Sequence, residues 1–463
     1  MNMALHPCAR WRTPWLLASL GIGLLLSAPV AGQSLDETLA TAYSSNPTLR
    51  AARAQLRAVN EGVPQALSNW RPSVIINGSA GRQRVESKSS FSTTQDSTTP
   101  FEATATISQP LYRGGRTIAG TARAENEILV QRANLDSVEQ SVLLRAATAY
   151  MDVWRDQAVL DLNVNNERVL QRQLEATQDR FTVGELTRTD VAQSETRLAV
   201  ATSGRIAAKG SLSTSRAIFQ EVAGVAPTML VAPPPLTGLP GSLDETVAAA
   251  ISNNPGVRAA TFAEKAAQKR VREVVGELLP TVSINASVRH TEETSQRGSQ
   301  SDVARILAEV SVPLYQQGAV SSRVREAKHI SNQRRLEIDE ARRRQEQEAV
   351  SAWRALETAR AQTLSFEAGV RSADIALEGV RQENSVGART VLDILDAEQE
   401  LLDAKVSLVR SQRDSIVTGF QVLAAAGRLL ARDRGLQVDV YDPDVDYQKV
   451  RGSWFGLDAP GAE

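Results

Sequence analysis

The chain has 463 residues, 42% of them hydrophobic and 23% charged, with a formal charge of −1. That balance excludes the basic excess of a nucleic-acid binder. Three histidines and one cysteine leave almost no material for a metal centre, a thiol nucleophile or a disulfide framework.

Residues 1–32 read as a secretory signal peptide. Arg10 and Arg12 precede an apolar run over residues 15–26, and small residues from Ser27 to Gly32 suit cleavage after Gly32. The run is shorter than the roughly 20 residues a spanning helix needs. Cys8 would leave with it, so the mature chain would carry no thiol for a disulfide, a metal or a lipid anchor.

The next segment is stated twice. Residues 34–80 align without a gap on residues 242–288, with 20 of 47 positions identical, among them Asn46-Pro47 with Asn254-Pro255 and Pro72 with Pro280. The correspondence resumes further on, where Pro110, Leu111, Tyr112 and Gly115 match Pro313, Leu314, Tyr315 and Gly318. Val183, Gly184, Thr187 and Asp190 likewise match Val386, Gly387, Thr390 and Asp393. One structural unit has been duplicated. The chain divides into the signal peptide (1–32), a first repeat of helix, β-hairpin and long helices (33–224), a proline-rich linker (225–241), a second repeat (242–430) and a tail (431–463).

Strands follow the aligned opening of each copy. Val74, Ile76, Gly78 and Ala80 alternate with Ile75, Asn77 and Ser79, and Ala103, Ala105 and Ile107 with Glu102, Thr104, Thr106 and Ser108. In the second copy Val282, Ile284, Ala286 and Val288 oppose Ser283, Asn285, Ser287 and Arg289, and residues 304–312 repeat the pattern. Period two marks strands with one apolar and one polar face. Each copy offers one hairpin, whose polar connections, residues 88–100 and 291–301, are expected as exposed loops. The pattern suits a two-sided soluble sheet or a barrel wall with lipid outside and water inside. Four strands cannot close a barrel, and an open edge in lipid leaves backbone groups unsatisfied, so several chains would have to complete one wall.

Long helices come next. No proline occurs between Pro110 and Pro227 or between Pro313 and Pro443, and residues 121–183 also lack glycine. That stretch predicts a helix approaching 95 Å at about 1.5 Å per residue. Near the end of the second copy, Ile394-Leu395, Leu401-Leu402, Leu408-Val409, Ile416 and Val422-Leu423 recur at seven-residue spacing. Such a seam serves a coiled coil or an ordinary bundle, and the length favours the coiled coil.

Between the long helices, Thr187 to Asp190 and Thr390 to Asp393 have the spacing of helix-starting capping boxes. Asp396 lies one turn beyond Asp393 on the same face, where the first copy has Gln193, so this acidic pair belongs to one repeat only. A solvated helix face accounts for it equally well.

These features resemble the TolC family of outer membrane channels, most specifically over residues 386–406 and also over residues 34–72 and the tail 441–456. The tail and residues 46–58 are similar to the branch serving type I protein secretion. The resemblance implies a mixed α and β membrane protein: a homotrimeric, twelve-stranded β-barrel with four strands per chain, continued by an α-helical coiled-coil barrel, with an internal twofold repeat. It places the chain in the outer membrane of a Gram-negative bacterium, extending into the periplasm, with an inner-membrane transporter and a periplasmic adaptor as partners and no cofactor. It also brings Asp393 and Asp396 from three chains to a constriction, where crowded carboxylates would resist ionisation and attract cations. Asn384, Arg389, Thr189 and Asp190 match positions that link neighbouring helices and close this end. Asn384 stands where the family commonly has tyrosine. Arg389 is expected to pair with Asp190 or with neither, and the turns at Gly184 and Gly387 are the expected docking tips. Polypeptide export is the leading reading and small-molecule efflux the close alternative. A soluble periplasmic coiled-coil adaptor fits the four strands poorly, and an enzyme lacks a catalytic constellation.

Overall fold

The computed structural model describes residues 32–458. The signal-peptide reading of residues 1–31, Cys8 included, lies outside these residues, as does the end of the tail.

Each repeat begins with a capped helix pair. Helices α1 (Leu35–Ser45) and α2 (Pro47–Asn60) meet at Asn46, and α6 (Leu243–Asn253) and α7 (Pro255–Val275) meet at Asn254. The duplicated Asn-Pro is explained by its hydrogen bonds. The Asn46 side-chain oxygen accepts from the Thr48 N–H at 2.9 Å, while its amide donates to the Val222 carbonyl at 3.0 Å. Asn254 repeats both contacts with Gly256 N–H (2.8 Å) and the Ala425 carbonyl (3.3 Å). One side chain therefore caps a new helix and ties it to the end of the long helix of the same repeat, with proline at the first helical position.

After the short helix α3 (Gly62–Ser68), the chain enters β1 (Ser73–Ala80), β2 (Gln83–Lys88), β3 (Thr93–Thr98) and β4 (Phe101–Arg113). The second copy supplies β5 (Thr281–Glu292), after a 3-10 turn at Gly276–Leu278, and β6 (Gln300–Ser311). Strands β1, β4, β5 and β6 form one antiparallel sheet in that order. The expected loop over residues 88–100 is corrected: β2 and β3 pair as a separate two-stranded ribbon. Its polar sequence hides the usual alternation, but Arg84 donates to Gln95 across it at 3.0 Å and its threonines favour extended backbone.

The strands hand over to helices at a close backbone contact. Gly114 has φ +61°, and a Cβ there would fall 2.2 Å from the Gly276 carbonyl oxygen. Only glycine fits on that side of the junction. Helix α4 (Arg116–Thr182) then runs for 67 residues, as does α8 (Ala319–Ser385), each about 100 Å long. They return as α5 (Arg188–Ala223) and α9 (Val391–Ala425).

The core lies where the first helix pair meets the middle of α4. Leu39, Leu49, Leu56 and Val63 pack with Leu143, Tyr150, Phe219, Phe420 and Leu429 in one buried cluster. Residues 225–241 and the tail, with α10 (Ala431–Arg434) and α11 (Pro443–Arg451), wrap the same level. The Tyr150 hydroxyl bonds the carbonyls of Gln33 (2.8 Å) and Val231 (2.6 Å), which stitches the linker to α4.

Along the distal helices α9 is the shared element. Val391 and Leu395 bury against Leu170 of α4 and Ala201 of α5, whereas Ile394 and Leu401 bury against Ala373 and Leu377 of α8. The paired apolar positions of the heptad thus serve two neighbours at once, which is how one helix joins two antiparallel pairs.

Candidate functional site

The sheet has two chemically distinct faces. Directly opposed residues in an antiparallel pair project to the same side, so the register sorts them. Ile76 stands against Ala105, Ile107 against Ala286, Ala286 against Ile306, and Val288 against Ala304, giving one continuous apolar surface. The other side carries Thr104 against Arg289, Ser287 against Arg305 and Ser283 against Glu309. Arg289 pairs with Glu102 at 3.2 Å there, and Asn285 donates to Glu309 at 3.0 Å. Apolar side chains stay exposed on the first side, Ile76 at 77% and Ile306 at 75%. Nothing else in the described chain covers that face.

Two edges are open. Strand β1 pairs only with β4 and β6 only with β5, so their outer backbone groups have no partner among the described residues. A bulge between Pro110 and Tyr112 lets Tyr112 oppose Val282, placing its ring on the apolar side at the base of the sheet. No described helix is long and apolar enough to cross a membrane.

At the far end of the rods, the two turns are built alike. Gly184 N–H donates to Phe181 and Glu185 N–H to Arg180, and Gly387 and Ala388 repeat the pattern on Asn384 and Glu383. Gly184 and Gly387 have φ of +81° and +78°, the left-handed conformation that ends a helix in this motif. Both capping boxes form: Thr187 N–H donates to Asp190 at 2.9 Å and Thr390 N–H to Asp393 at 2.8 Å, with each threonine hydroxyl donating to the same carboxylate. The threonine hydroxyl bond first, and then the backbone bond, hold both carboxyls below the usual aspartate range. Within the chain Asp190 and Asp393 are therefore ready anions. The expected resistance to ionisation belongs to Asp393 and Asp396 crowded across three copies, and the cap on Asp393 acts in the opposite direction.

The expected gate residues are brought to one end, where each has a partner within its own chain or stands exposed. Arg389 bonds Glu383 at 2.8 Å and lies 3.9 Å from Asp393, so within the chain its guanidinium is taken by α8 and α9 and not by Asp190. Asn384 donates to the Arg389 carbonyl at 2.8 Å and bridges the turn. Thr189 is exposed on the first turn of α5. Asp396 forms an ion pair with Arg197 of α5, a residue the sequence reading passed over. A signal was present, because Arg197 aligns with Glu400 of the second copy, a charge reversal beside the Gln193 and Asp396 exchange. Arg381 similarly joins Glu398 on α9.

The comparisons agree with this architecture. A model of the outer membrane efflux protein family matches residues 38–225 and 246–428, once per repeat. The outer membrane efflux protein BepC of Brucella suis is 34% identical over 95% of both chains. The alkaline protease secretion protein AprF of Pseudomonas aeruginosa is 24% identical over 71% of this chain and 70% of its own. The crystal structure of VceC from Vibrio cholerae superposes with a TM-score of 0.72 at 18% identity, over 85% of this chain and 96% of that one. With both repeats matched and the rod-and-sheet fold shared, the chain belongs to the outer membrane efflux protein family, the TolC-type channels of the Gram-negative outer membrane that extend into the periplasm.

Proposed function

We propose that three copies of this chain form a passive conduit for polypeptides: a twelve-stranded barrel in the outer membrane, continued by an α-helical tunnel. The observation that carries this is the two-faced sheet with two open edges, joined directly to rods about 100 Å long. In lipid each unpaired backbone group costs several kcal/mol, so the edges of neighbouring copies have reason to pair. The repeats 33–224 and 242–430 each supply half of one chain's wall.

In this reading the tips at Gly184 and Gly387 receive a periplasmic adaptor, and an energised inner-membrane transporter drives the cargo. Asp393, with Asp396 tuned by Arg197, sets the cation preference of the inner end. Arg389, Asn384, Thr189 and Asp190 hold it closed. Secretion of protein is what AprF's name describes, and it agrees with the resemblance of the tail to the type I secretion branch. Small-molecule efflux is the second reading, and efflux is the word in BepC's description. Deleting the protein and comparing the secretome with drug susceptibility separates them. A lost set of secreted proteins with unchanged susceptibility supports polypeptide export, and the reverse supports efflux.

A further inference from the structure

The segment after α11 carries apolar side chains that the described residues leave largely exposed. Trp454 is 58% exposed, Phe455 90% and Leu457 fully exposed. Scattered single apolar residues on a surface are ordinary, but three within four positions form a patch.

Its location is fixed by polar contacts. Asp444, at the start of α11, pairs with Arg132 of α4 at 2.7 Å, and Arg451, at its end, reaches Glu125 at 3.5 Å. Helix α11 therefore climbs α4 towards its first residue, Arg116, which adjoins the sheet. Beyond it, Arg71 donates to the Ser453 carbonyl at 2.6 Å and lays its guanidinium 4.7 Å from the centre of the Trp454 ring. Arg71 stands two residues before β1, so Trp454 is pinned at the level where the strands begin. Trp70, whose carbonyl accepts from Gln109 at 2.8 Å, and the outward-turned Tyr112 lie at that same level.

Aromatic rings backed by arginines, at the end of an apolar sheet face, are the arrangement suited to a membrane–water boundary, where the ring enters the acyl region and the cation meets phosphate. We propose that residues 453–457 are a membrane anchor, with Trp454, Phe455 and Leu457 inserted in the periplasmic leaflet of the outer membrane and Arg71 and Arg451 at the phospholipid headgroups. The anchor rests on the placement of the sheet in the membrane and goes beyond the transport function. It gives the chain a non-covalent tether beside the barrel.

The test is a spin label at Phe455→Cys in a chain lacking Cys8, reconstituted in phosphatidylethanolamine–phosphatidylglycerol nanodiscs, with Ile306→Cys on β6 as reference. Collisions with oxygen and with a water-soluble nickel chelate are measured at both labels. The expected result is that oxygen dominates at both. Nickel-chelate access at position 455 with oxygen dominance at 306 overturns the anchor alone. Low access of both reagents at 455 assigns the patch to a protein contact and also overturns it. Nickel-chelate access at 306 removes the membrane sheet and the anchor together.

Discussion

Breaking the Arg197–Asp396 ion pair from either side makes opposite demands on the inner end of the tunnel. Arg197→Ser leaves Asp396 without its counter-charge, and Asp396→Asn removes the anion and leaves Arg197. Both variants lose the same half-exposed pair, worth about 0–1 kcal/mol to stability, so folding is affected alike and the charge alone differs. A divalent cation about 4 Å from one additional carboxylate gains roughly 2 kcal/mol in water. That is about 30-fold in affinity before screening, and salt at about 0.1 M removes part of it. In planar bilayers at that ionic strength, Arg197→Ser is expected to lower the half-blocking concentration of a divalent cation by roughly tenfold, and Asp396→Asn to raise it. Equal effects in one direction, or no change with Arg197→Ser, would refute the assignment of Asp396 to the cation site.

Further outcomes follow from the same geometry. Asp393 is held ionised first by the Thr390 hydroxyl and then by its backbone N–H. A lowered folded value means that the charge, and any stability tied to it, is present above the unfolded value and lost as pH falls through the folded one. In Asp396→Asn, where Asp393 remains, divalent block should therefore persist on acidification to about pH 4, near the ordinary aspartate value, and loss centred near pH 5–6 would contradict the cap. Arg389→Ser removes contacts to Glu383 and Asp393 and is expected to raise single-channel conductance. Unchanged conductance removes Arg389 from the gate. Asn46→Ala forfeits a helix cap and leaves the Val222 carbonyl unsatisfied, at a cost of about 1–3 kcal/mol. Hydrogen exchange in α2 should then quicken about ten- to a hundredfold, with no matching change in α7.

What was legible in the sequence was whatever depends on neighbours along the chain. The alternation at Val282 to Val288, the proline-free rods, the Asn-Pro caps and both Thr–Asp boxes state their structure locally, and the duplication states each of them twice. The apolar side of all four strands could be named before the register was known, because period two admits only two faces. The ribbon of β2 and β3 was not legible, since its sequence from Thr93 to Thr98 has no apolar alternation and its pairing comes from a partner strand. The candidate site was half legible. Asp393 and Arg389 could be located by the repeat and find their partners within the turn itself, whereas the partner of Asp396 is set by how α5 and α9 pack. Arg197 meets Asp396 through packing that no single-helix spacing encodes.

The central claim is that one copy cannot enclose the conduit and that three do. Native mass spectrometry of the mature protein released from its outer membrane in a mild detergent tests this most directly. The account expects a particle of three copies that persists on dilution, while a stable single copy, with β1 and β6 left unpaired, would contradict it.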